Sequence, residues 1–168
     1  MHPCSFFCPE NVYTSKYKFV HGAPSMPGFA EPDPADGNAL AFYRELFDYG
    51  IANGMAGFEN DFLNYNLLAV PHFRTTYNAS TAWLSAMNAA ALERGLPVQM
   101  CMALPSDLMA SVALDSVTNY RASTDYAFSR TPSNLDIGGS ALLAFALGLR
   151  PSKDNVRVCR SLLCVCKS

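Results

Sequence analysis

Apolar positions fall in short runs along this chain, set apart by polar and Gly/Pro-rich stretches, and the runs alternate between helical and strand-like spacing. From Asn38 to Tyr49, Leu40, Tyr43, Leu46 and Phe47 share one helical face, with Gly50 placed as a C-cap. Met55 to Phe58 then reads as a short buried strand ending in the polar cluster Glu59-Asn60-Asp61. Ser80 or Thr81 can cap a helix running to Arg94, with Trp83, Met87, Ala90 and Ala91 as its stripe and Gly95 as its stop. Pro97 to Leu104 reads as a buried strand ended by Pro105, and Ser106-Asp107 can cap a short helix through Leu114. Ser116 to Tyr120 is the next strand, with Arg121 at its edge. After a polar loop over 129–136, Gly139-Ser140 opens an apolar helix, Ala141 to Leu147, closed by Gly148. Upstream, Tyr17 to His21 alternates like a short strand, and 22–37, rich in Pro and Gly, predicts a long loop.

Strand, helix, strand, helix, strand is the pattern of parallel βα units, so the fold class expected is α/β with a parallel sheet. The three regular strands are expected to be neighbours in chain order. Functional side chains should gather where parallel strands end, which brings forward Asp61, the segment Pro105 to Asp107, and Arg121 to Asp125. A full (β/α) barrel takes about 250 residues. This chain has 168 and shows about five candidate strands. Either the domain is an open α/β sheet or the sequence is an incomplete barrel, and the patternless stretch after Asp154 favours a partial TIM-type barrel over 17–154, with an irregular segment over 1–16 and an irregular Cys-containing tail over 155–168.

Composition narrows the partners. The chain is 50% hydrophobic and 15% charged, enough for one domain with a real core. Its net charge of −2, with the basic residues dispersed, points away from nucleic acid. No apolar run approaches the roughly 18 residues of a membrane span, and no nucleotide-binding loop is present, so neither a membrane partner nor a cofactor is expected. Six cysteines, at 4, 8, 101, 159, 164 and 166, match no standard zinc spacing, and no metal is expected. Asn78-Ala79-Ser80 is a glycosylation sequon that acts only in a secreted or endomembrane protein. The N-terminus does not read as a signal peptide, so such a location would need one on a longer parent.

Three pieces, in order, resemble the catalytic barrel of the α-galactosidase (melibiase-like) clan of retaining glycoside hydrolases. Gly57-Phe58-Glu59-Asn60-Asp61 is similar to the strand end that carries the clan's nucleophilic aspartate. Cys101-Met102-Ala103-Leu104-Pro105 is similar to a strand with a Cys whose loop reads the sugar. Arg121-Ala122-Ser123-Thr124-Asp125 has the spacing from Arg to the acid/base Asp. Residues 141–154 resemble a later helix and strand end. The clan's usual Lys two residues before the nucleophile is Glu59 here.

The resemblance implies retaining hydrolysis of an α-glycosidic bond in a carbohydrate substrate, with this chain expected to be a fragment that has little activity alone. Asp61 would be the nucleophile and Asp125 the acid/base, two carboxyl groups about 5–5.5 Å apart. Glu59, Cys101, Asp107 and Arg121 would be the substrate-binding set. The residues also allow plainer roles. Asp61 and Asp125 can each cap a following turn, and Arg121 can serve a salt bridge. Glu59 can be the nucleophile itself or a structural ion-pair partner. Trp83 and Tyr120 can stack on a sugar, though Trp83 sits on a core stripe. His21 and His72 read as structural or surface residues. A non-catalytic carbohydrate-binding or degenerate barrel protein is the alternative function.

Overall fold

The computed structural model describes residues 12–25, 28–103, 105–121 and 134–152. An antiparallel hairpin, β1 (Phe19–His21) and β2 (Ala30–Pro32), precedes helix α1 (Asn38–Ala52). Strand β3 (Phe58–Asn60) follows, then short helices α2 (Leu63–Ala69) and α3 (Pro71–Thr75), and the long helix α4 (Ala79–Leu92). Next come β4 (Val98–Met100), α5 (Pro105–Ala110) with a 3-10 turn over Ser111–Ala113, β5 (Val117–Arg121), α6 (Asn134–Ala146) and β6 (Arg150–Ser152). The protein is mixed α/β. Its main sheet is parallel throughout, with order β3-β4-β5-β6.

Several expected boundaries move, each for a local reason. Gly50 lies inside α1, where a Cβ would meet the Met55 side-chain tip, and the left-handed residue after the helix is Gly54. Glu59 and Asn60 belong to β3 and do not merely follow it. Ser80 and Thr81 lie in the first turn of α4, because Asn78 is its N-cap, in the left-handed region at φ 61° and with no side-chain cap bond. Gly95, at φ 60°, stands just beyond the end of α4 as expected. Strand β4 is shorter than the expected Pro97 to Leu104: it ends at Met100, the chain bends after Cys101, and Leu104 lies outside the described residues. Ser106 and Asp107 lie inside α5. Helix α6 begins at Asn134, so it takes in both Gly138 and Gly139. The proline-rich stretch holds β2, a short edge strand where Pro32 is tolerated.

The two faces of the parallel sheet differ. Val98, Met100 and Tyr120 point to the helical side and join the main core, and Phe58 packs against it, its ring 5.0 Å from Phe47 of α1. Trp83, Met87, Ala90 and Ala91 of α4 are fully buried there, with Trp83 stacked on Phe73 at 5.0 Å. On the other face the register sets Glu59 beside Gln99, Gln99 beside Asn119, and Asn119 beside Arg150. This is one polar row across four strands. Asp61, Cys101, Arg121 and Ser152 stand two residues further along, on the same face by the alternation of a strand. Parallel sheets are usually apolar on both faces, so a polar row is informative about what lies against it.

Candidate functional site

The polar face is tied together by its own side chains. The Gln99 amide donates from Nε2 to Glu59 Oε1 at 3.1 Å, and the Ser152 hydroxyl donates to Gln99 Oε1 at 3.3 Å. A hollow of about 300 Å³ opens here, lined by Gly57, Glu59, Gln99, Thr118 and Asn119 among others. At the C-terminal end of the strands, one ligand-capable atom each from Glu59, Asp61 and Cys101 lie within 4.8 Å of one another. Cys101 is fully buried, and Asp61 and Glu59 are half-buried.

Burial first, then hydrogen bonding to Asp61 and Glu59, holds the Cys101 thiol far above its usual range, while the Arg121 guanidinium pulls the other way. Cys101 is therefore a protonated S–H aimed at two carboxylates, a donor and not a nucleophile. Arg121, the last residue of β5, is buried. The three donor groups of Glu59, Asp61 and Cys101 are the set that would face a cation here. The neighbouring Arg121 charge opposes one, and it suits an anionic or hydroxyl-rich group instead.

The backbone at this end is strained. Phe62, immediately after Asp61, sits at φ 58°, and Met102, immediately after Cys101, sits at φ 50°. Side-chain-bearing residues enter the left-handed region at a cost, and such strain gathers at functional sites. Asp61 helps to set its turn. Its Oδ1 accepts the Phe62 N–H at 2.7 Å, and its carbonyl accepts from Asn66 Nδ2 at 3.3 Å. The N-cap of α2 is Phe62, with no side-chain cap bond, so Asp61 does not cap that helix.

The expected site residues thus divide. Glu59, Asp61, Cys101 and Arg121 share the polar face at adjacent strand ends. Asp107 does not join them. It is buried in α5 and lines a separate cleft of about 370 Å³ with Phe73, Leu84 and Leu114 on the helical side. The bend after Cys101 turns the chain outward before Asp107, so nearness to a strand end in sequence does not put it at the mouth. Tyr120 also points to the helices, and its hydroxyl donates to the Ala103 carbonyl at 3.3 Å. Trp83 is core. His21 is exposed, and His72 Nδ1 lies 3.3 Å from Thr76 Oγ1. Asp125 lies outside the described residues, as do the five terminal cysteines. Gln99 and Ser152 were not singled out from sequence. A lone Gln inside Pro97 to Leu104 was the available signal, a polar residue on an otherwise apolar strand. Among the described residues, no helix is long and apolar enough to cross a membrane. Comparison of the chain with protein-family models, with curated proteins and with solved structures gives no match.

Proposed function

We propose that this chain is part of a (β/α) barrel of retaining glycosidase type, acting on an α-glycosidic bond, with Asp61 as nucleophile and Asp125 as acid/base. The observation that carries this reading is the row of chemistry at adjacent parallel strand ends: Asp61 after β3, Cys101 after β4 and Arg121 closing β5, all on one face. The strand order supports a barrel over a doubly wound sheet. It follows the chain without reversal among the described strands, whereas doubly wound sheets reverse at a switch point. Helices cover one face of the sheet, as they would on the outside of such a barrel. In this role Asp61 attacks the anomeric carbon, Asp125 protonates the leaving oxygen, and water later releases the sugar with Asp125 acting as base. The Cys101 S–H and Arg121 orient the nucleophile and the sugar hydroxyls. A non-catalytic carbohydrate-binding role is the second reading. Glu59 favours it, because it replaces the cation expected beside the nucleophile and is already bonded to Gln99.

The test uses aryl α-glycosides with good and poor leaving groups, on the intact parent protein if this chain is a piece of one. Asp61→Asn should abolish turnover of both. Asp125→Asn should lower turnover of the poor leaving group by about 10²–10⁴-fold, whereas with the good one the first step is spared and release of the sugar becomes limiting, a step that azide should accelerate to give a product of retained configuration. Wild-type activity in both variants, or no α-glycoside cleavage by the parent, removes the enzymatic reading.

A further inference from the structure

We infer that two copies of this chain associate through the outer strands of the parallel sheet, β6 of each beside β3 of the other, so that four strands from each close an eight-stranded barrel around the polar face. The inference rests on the barrel reading above and adds the partner that completes it. Three observations point to a second copy.

The first is charge. The polar row runs from Glu59 on one outer strand, through Gln99 and Asn119, to Arg150 on the other. Asp61 adds to the acidic side, and Arg150 is exposed. A twofold axis along the sheet's strand direction keeps every strand parallel. It also sets the basic edge of each copy against the acidic edge of the other, at both seams. The second is the helix layer. Helix α6, next to β6, exposes Leu142 and Phe145, at 71% and 73% of their surface. Helix α1, which leads into β3, exposes Tyr49 and Ile51. Closing the seams brings α1 of one copy beside α6 of the other, so that apolar faces on both flanks gain a neighbour. The third is strand number. The described sheet has four strands, and eight close a barrel of this kind. Among the described residues no further strand pairs with β3 or β6 on their outer sides, and such an edge carries backbone groups that pair readily with another strand.

The experiment is sedimentation velocity on the whole chain, with far-UV circular dichroism to confirm folding. The wild type should sediment at twice the 18.3 kDa chain mass. Arg150→Glu alone and Glu59→Arg alone should each be monomeric, because each places like charges at both seams. Mixing the two variants should restore the dimer, since every seam then pairs opposite charges. A wild-type dimer indifferent to both substitutions, or a mixture that stays monomeric, overturns the seam. A monomeric wild type that binds a hydrophobic dye overturns the dimer and leaves the open-barrel reading standing. One that binds no dye overturns both. If a variant fails to fold, amide hydrogen exchange of the wild type over a dilution series decides. Dilution should strip protection from 58–60 and 150–152 before 98–100, and uniform behaviour counts against the inference.

Discussion

At the residue scale, the candidate site is marked by backbone as much as by side chains. Met102 holds the left-handed region without being glycine, next to a buried thiol that hydrogen-bonds to two carboxylates. Met102→Gly should therefore hold stability or raise it by up to about 1 kcal/mol, while Met102→Val, β-branched, should lower it by more than about 1 kcal/mol. Urea unfolding checks both, and the reverse order would mean the bend is not left-handed. Glu31 on β2 is a second residue-scale case. Burial pushes its carboxyl up to about 8. Below the ordinary carboxylate range it is protonated whether folded or not and costs nothing. As pH rises from about 4.5 towards 8, the unfolded chain ionises and the folded one resists, so stability falls across that window. Glu31→Gln should stabilise the protein near pH 8 by at least about 1.4 kcal/mol, the worth of one pH unit, and change little near pH 4. An equal gain at both pH values would locate the effect elsewhere.

At the element scale, long periodic segments were legible and short ones were not. The α4 stripe of Trp83, Met87, Ala90 and Ala91 was readable from spacing alone, and all four are fully buried. Trp83→Ala should cost about 3–5 kcal/mol in chemical denaturation, since the ring is enclosed and stacked on Phe73. A loss under about 1 kcal/mol would mean the site collapses around the cavity. Helices α2 and α3 carry no comparable signal. They are one or two turns long and divided at Pro71, so no window holds a full helical repeat. The hairpin strand β2 was hidden by its prolines. Strand β3 was misplaced by a few residues because a buried parallel strand was expected to be apolar throughout. Its Glu59 instead points to a polar face, so alternation across three residues looked like the end of the strand.

At the scale of the whole molecule, the parallel neighbours in chain order were legible, because apolar runs, helical spacers and the right-handed crossover rule leave few arrangements. The polar row was not, since it exists only once four separate strands take register. Of the four residues that share the polar face, Asp61 and Arg121 are legible from strand ends, whereas Glu59 and Cys101 enter only through the family resemblance; the strand-end rule also draws in Asp107, although the bend after Cys101 sends it to the other side. Gln99 shows why the row belongs to the assembled sheet. It bonds Glu59 with its amide nitrogen and Ser152 with its amide oxygen, so three strands meet at one side chain. With the face open, water can replace those bonds, and Gln99→Leu should cost no more than about 1 kcal/mol, as for a solvated polar contact. With the face enclosed by further strands, the same change leaves a buried carboxylate without its donor, and the cost should rise to about 1–3 kcal/mol or more. Unfolding of wild type and Gln99→Leu, compared at dilute and at high protein concentration or in this chain and a longer parent, measures the difference. An equal cost in both states would mean that nothing closes over the polar face, and the row would then be a solvated surface of an open sheet.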